Sequence, residues 1–203
     1  MLHDQKSENT SDNSMINENA VCLQLKLLPS VNWLANVARN SELIINSNEL
    51  YRKENHPNRY TIPTANGIIN LSVPLFGGRN QKVKITDLKI AGDEWKRKHI
   101  HALQSSYGKS PYYLYYKDEL ENILLNSGTG FFELSTTTVR WLFKELLPEV
   151  SIVISECEFA SPEIQVPDKK YHQVFENKFG FQTKMSAIDL LFCLGPDAKK
   201  HFI

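Results

Sequence analysis

The sequence predicts an α/β fold: a single domain with a mixed, partly parallel sheet flanked by helices and a helix-rich C-terminal half. Three observations predict it. A strand–helix–strand pattern opens the apolar part of the chain, long segments at helical spacing fill it from Asp93 onward, and 203 residues with a 41% hydrophobic fraction suffice to bury one core. No internal repeat divides the chain, so residues 20–203 are expected to form the domain.

Residues 1–19 are rich in Asn, Ser and charge and hold almost nothing to bury, which predicts a disordered or arm-like tail. Val21 to Leu27 alternates apolar and polar residues as a strand does. Pro29-Ser30 breaks that strand and opens a short helix through Trp33, Leu34, Val37 and Ala38. Ser41 to Ile45 returns as a second strand, completing a β-α-β unit and hence a parallel pair. Asn46 to Tyr60 has no period and reads as a long loop, the kind of segment that often carries function. Arg59–Ile62 and Ile68–Val73 read as strands around Asn66-Gly67, a tight-turn signal. Gly77-Gly78 is a further break, and Val83 to Ile90 alternates as another strand.

From Gly92 to Tyr116 two helices are expected to meet at a corner. Asp93 is read as the cap of the first and Gly108 as its left-handed end; Ser110 and Pro111 are read as the start of the second. The corner is followed by helices over Pro111–Asn126 and Phe131–Leu147, a buried strand over Val150–Ser155 and a loop over Ser161–Pro167. A helix over Lys170–Lys178 is expected to end at Gly180. Ser186 and Asp189 fit a capping box opening a last helix, Ala187–Leu194.

Composition narrows the function. No apolar run is long enough to cross a membrane, and no signal-peptide pattern is present, so no membrane insertion is expected. Cys22, Cys157 and Cys193 are widely spaced without a Cys-x-x-Cys pair, which predicts reduced thiols, a cytoplasmic location and no metal site. The formal charge is zero, yet residues 50–110 hold eleven Lys and Arg against four Asp and Glu. A basic middle in a neutral chain suits an anionic small molecule such as a phosphorylated sugar or a sugar nucleotide, and not nucleic acid. A solvated basic face paired with acidic neighbours explains the same numbers equally well.

Trp95, His99 and Leu103 recur every four residues and share one face of the corner helix. His99 is the candidate general base, since an imidazole titrates near neutral pH; the competing reading is a core histidine. Lys53 and Arg59 are candidates for clamping a phosphate or carboxylate. Trp95 and Tyr107 are candidate pocket walls, although aromatic residues at helical spacing more often build core. Asn66 is carried as a further substrate contact beside its plain turn role. Asp189 is read as a cap, and the Cys157 thiol as inert beside Glu156 and Glu158.

The chain resembles the WbqC-like family, in particular its Bacteroidetes-type members. The residues that carry this are Tyr51-x-Lys53, Asn58-Arg59, Ala65-Asn66-Gly67-x-x-x-Leu-Ser-Val-Pro74, Trp95-x-x-x-His99 and Ser-Ser-Tyr107-x-x-x-Pro111. They continue into Gly180-Phe181, Ser186-x-x-Asp189 and Gly195-Pro196. The resemblance implies a role in surface-polysaccharide (O-antigen or capsule) biosynthesis, with an acyl- or aminoacyl-transferase acting on a nucleotide-activated sugar as the leading reading. The alternative is a non-catalytic partner or scaffold for a glycan-biosynthesis enzyme; the implied reaction names no cofactor, and a homodimer is compatible with it. Two departures from the family pattern stand out. Asn46, Ser47 and Asn48 occupy a strand end that is usually acidic, and Pro57 replaces one basic position of the following loop.

Overall fold

The computed structural model describes residues 19–76, 82–157, 161–167 and 169–202. The tail expected over 1–19 lies outside them apart from Asn19, and so does the Gly77-Gly78 break.

Two sheets form. Strands β1 (Ala20–Cys22), β2 (Glu42–Asn46) and β5 (Ser151–Ser155) make a parallel sheet in the order β1-β2-β5. Strands β3 (Arg59–Thr64) and β4 (Gly67–Ser72) make an antiparallel hairpin. Helix α1 (Val31–Val37) is the crossover between β1 and β2, as the β-α-β pattern predicts. Its start is chemically fixed: Ser30 Oγ accepts from the Trp33 N–H at 3.1 Å. Leu43 and Ile45 of β2 are fully buried, as a central strand with neighbours on both sides requires.

Helices α2 (Glu94–Tyr107), α3 (Tyr113–Leu125) and α4 (Phe131–Leu146) supply the long helical segments, followed by α5 (Glu176–Phe179) and α6 (Ala187–Leu194). One hydrophobic cluster joins them to the sheets through Trp33, Ile45, Tyr107, Phe131, Leu142 and Phe192. The fold class is therefore the mixed α/β arrangement read from the sequence.

Several local expectations are corrected by tertiary partners. The first strand stops at Cys22, because Leu23 to Leu28 leave β2 and run buried into the turn before α1. Val83–Ile90 is not a strand but a 3-10 turn at Ile85–Asp87 with single bridges from Lys84 to Leu50, Lys89 to Gly130 and Ile90 to Leu75. Three different partners in seven residues leave no strand alongside. β5 is an exposed edge, with Val153 and Ile154 open to solvent, rather than a buried strand. The Lys170–Lys178 helix shrinks to α5, because Tyr171 and Gln173 turn inward to Asp189.

The corner is also capped differently. Gly108 sits at φ −57°, in the right-handed region, and Asp93 pairs with Lys96 at 2.8 Å instead of capping the helix. Ser110 Oγ donates back to the Tyr107 carbonyl at 2.8 Å, and α3 begins only at Tyr113.

Cys22 and Cys157 are joined by a disulfide, which corrects the expectation of three reduced thiols. They are 135 residues apart in sequence, but parallel pairing brings the carboxyl ends of β1 and β5 to the two sides of β2. Cys193 remains free and buried. No helix among the described residues is long and apolar enough to cross a membrane.

Candidate functional site

Parallel strands deliver their following loops to one edge of a sheet, and ligands of α/β proteins bind along that edge. Here the edge carries a cavity of about 800 Å3. Gln24 and Lys26 reach it after β1, Cys157 and Glu163 after β5, Asn46 at the end of β2, and Glu49, Arg52 and Glu54 after it. Trp33 closes it from α1, its Nε1 donating to the Gln24 carbonyl at 3.0 Å.

Glu49 stands half-buried in the wall of this cavity. Partial burial raises its pKa; hydrogen bonds from the Gln24 side chain and the Leu25 backbone, and the charges of Lys26 and Arg52, work against that rise. Its backbone is held independently, since the Glu49 carbonyl accepts from Ile85 N–H at 2.7 Å and Tyr51 N–H donates to the Val83 carbonyl at 2.9 Å. A half-buried carboxyl with shifted acidity on a fixed backbone is suited to proton transfer.

Two asparagine pairs shape the rim. Asn46 donates to the Cys157 carbonyl at 2.8 Å and accepts from Asn48 N–H at 2.9 Å, so the residue standing at the family's acidic position ties the ends of β2 and β5 together. Asn32 and Asn36, one turn apart on α1, grip the irregular segment before Pro167. Asn36 exchanges two bonds with Ile164, while Asn32 accepts from Val166 N–H and donates to Glu163. Glu163 thereby reaches the cavity and pairs with Lys26 at 3.3 Å.

A second cavity of about 370 Å3 adjoins the first, sharing Lys26 and Asn55 with it. Three segments meet here. Leu27 N–H donates to the Pro57 carbonyl at 2.8 Å, Ser186 N–H to Thr61 at 3.0 Å, and Val31 N–H to Met185 at 3.1 Å. Arg59 lines this cavity, with its Nε donating to Ser72 Oγ at 3.2 Å. His56, where the loop departs from the family pattern around Pro57, lines it too.

The structure separates the remaining sequence candidates from both cavities. His99 is 3% exposed, packed edge-on against Trp95 and Tyr60, with its Nδ1 and the Tyr60 hydroxyl 3.1 Å apart. Burial pushes the imidazole pKa down to about 4, only partly offset by a hydrogen bond with the Ser72 backbone, so the ring is neutral near pH 7. Tyr60 itself lines the smaller cavity, and His99 lies behind it. The structure thus gives His99 a core contact with Tyr60 rather than a face on either cavity.

Trp95 is buried beside His99, and Tyr107 is fully buried with its hydroxyl donating to Asp189 at 2.9 Å. Lys53 is exposed in a 3-10 turn outside the cavity walls. Asn66 sits at the β3–β4 turn, its N–H bonded to Thr64 Oγ1 at 3.2 Å, and Gly67 adopts the φ of 112° that the turn demands. Lys96, counted among the basic middle, is buried and donates to the carbonyls of Leu125 and Ser127 at 3.1 and 2.9 Å, capping the end of α3.

Asp189 is not a cap. Its carboxylate accepts from Tyr107, Tyr171 and Gln173 at 2.9, 2.6 and 2.9 Å, while Ser186 Oγ donates to the Leu28 carbonyl. Sequence spacing masked this network because positions three apart look alike whether the side chain turns back to the helix start or into the core. Glu49 left a weaker trace, as one of the two carboxyls in the loop expected over Asn46 to Tyr60. Among the described residues no group of three or more His, Cys, Asp or Glu is arranged to hold a metal ion.

Residues 24–165 match the WbqC-like protein family. The match covers more than half of the chain and encloses all the larger cavity's lining residues except Leu23, so the chain belongs to this family. No curated protein and no solved structure matches it.

Proposed function

We propose that this WbqC-like protein is an enzyme of surface-polysaccharide biosynthesis that transfers an acyl or aminoacyl group to a nucleotide-activated sugar in the larger cavity. The observation that carries the reading is a polar cavity at the carboxyl edge of a parallel sheet, holding one half-buried carboxyl of raised pKa, Glu49. Amide and charged groups (Gln24, Asn48, Arg52 and Glu163) suit the hydroxyls of a sugar better than an apolar ligand.

In this reading Glu49 takes over the role the sequence suggested for His99. The Glu49 carboxylate accepts the proton of the attacking sugar amine or hydroxyl as its lone pair bonds to the acyl carbon. The bond from that carbon to the donor's oxygen or sulfur then breaks, and the leaving atom departs with the electron pair and receives the proton. In this reading the protein works in the cytoplasm, where thiols are kept reduced, so both redox forms of the Cys22–Cys157 pair belong in the assay.

The test is a screen of sugar nucleotides for a rise in melting temperature, followed by acyl-transfer assays on those that bind. Glu49→Gln is expected to keep binding and to lose roughly 100-fold or more in kcat. Full activity in that variant overturns the assignment. The scaffold reading has its own observation, the exposed Leu114 and Tyr115 of α3. It gains if no sugar nucleotide binds while Leu114→Asp abolishes capture of a glycan-pathway enzyme.

A further inference from the structure

Among the described residues the smaller cavity is lined by Lys26, His56, Arg59 and Lys184 and by no carboxylate, in a chain with equal numbers of Asp plus Glu and of Lys plus Arg. The larger cavity, by contrast, sets Glu49, Glu54 and Glu163 against Lys26 and Arg52. Of the four basic groups, Lys26 is partly neutralised by Glu163 at 3.3 Å, whereas Arg59 and Lys184 make no ion pair among the described residues.

The backbone singles out the same place. The three non-glycine residues with positive φ among the described residues are Leu28 at 44°, His56 at 46° and Lys184 at 62°, and all three line this cavity. Side chains with a Cβ avoid that region, so such conformations persist only where surrounding structure holds them, and they gather at ligand sites. The backbone bonds from Leu27 to Pro57, Val31 to Met185 and Ser186 to Thr61 do the holding.

We infer that the smaller cavity binds the diphosphate group of an activated sugar whose sugar end occupies the larger cavity. The inference rests on the sugar-nucleotide reading above and adds the site of its charge. Lys26 and Asn55 stand in both cavity walls, so the cationic cavity and the acidic, amide-rich one are neighbours that one ligand can span. Arg59 offers a fork of donors to adjacent phosphate oxygens, and Lys184 a mobile point charge. Lys184 lies outside the 24–165 match, so this wall of the site is supplied by the C-terminal part of the chain.

Isothermal titration of the full chain with inorganic pyrophosphate at low salt tests it. The wild type is expected to bind, and to bind more weakly as salt rises. The Arg59→Ala/Lys184→Ala double variant is expected to bind at least about 10-fold more weakly, since two unpaired cations are lost. Lys98→Ala, an exposed lysine on α2, should leave binding unchanged. Lys184→Gly, which accepts the same φ without strain, should stay folded and still lose affinity.

No pyrophosphate binding, or an equal loss in Lys98→Ala, overturns the inference. UDP-glucose and farnesyl diphosphate distinguish a nucleotide from a polyprenyl source of the diphosphate, and competition by pyrophosphate with whichever binds supports the site. UDP-glucose binding that pyrophosphate does not displace overturns the diphosphate site but leaves the sugar-nucleotide reading standing. Pyrophosphate bound through Arg59 and Lys184, with no sugar nucleotide bound, does the reverse.

Discussion

At the α2 corner His99, Lys96 and Tyr107 each meet a protein partner, whereas Glu49 and Arg52 at the carboxyl edge of the parallel sheet, and Lys184 in the adjoining cavity, border open space. Both regions gather polar and aromatic side chains. At the corner every one of those three polar groups is matched by a tyrosine, a carbonyl or a buried carboxylate, and the matching builds stability. At the cavities Arg52 and Lys184 make no ion pair among the described residues, and Glu49, although it accepts hydrogen bonds from Gln24 and Leu25, still lines the larger cavity. The difference teaches that site-like composition marks a polar cluster, and only the partners tell a finished network from a waiting one.

The largest effect that sharpens this contrast belongs to the corner. Asp189→Ala leaves the Tyr107 and Tyr171 hydroxyl donors unmatched in the core and removes one acceptor of Gln173, and is expected to cost about 3–5 kcal/mol of stability. Urea denaturation measures it; a loss below about 1 kcal/mol would mean that the network is not structural.

Next comes the pH dependence of His99. Its folded pKa of about 4 lies below the unfolded value of 6.5, so the unfolded chain binds the extra proton first. Stability present at neutral pH is therefore lost as pH falls from about 6.5 towards about 4, by roughly 3 kcal/mol. His99→Gln keeps a partner for Tyr60 and should flatten that part of the stability–pH curve. An unchanged slope, or a large loss of turnover with the fold intact, would return His99 to the chemistry.

The smallest expected effect is at Lys53, which is exposed and outside both cavity walls. Lys53→Ala should change stability by less than about 0.5 kcal/mol and leave pyrophosphate affinity alone. If it weakens binding as much as Arg59→Ala does, the loop closes over the ligand and the boundary drawn between wall and rim is wrong.

The sequence by itself determined the elements whose signals are local. The β-α-β unit follows from alternation around Pro29-Ser30, the β3–β4 hairpin from Asn66-Gly67, and α3 and α4 from apolar residues at helical spacing, because period and turn chemistry act over a few residues. That the loops after β1 and β2 gather at one edge of the sheet follows from the same β-α-β unit, since parallel strands deliver their following loops to the same side. Tertiary structure decided which polar groups meet: His99 with Tyr60 across 39 residues, Tyr107 with Asp189 across 82, Cys22 with Cys157 across 135. It also decided that Lys184 joins Lys26 and Arg59 around one cavity. Such meetings depend on how the whole chain closes on itself. A helical face or a capping spacing near any one residue is the same whether that residue ends up against a carbonyl, a carboxylate or an open cavity.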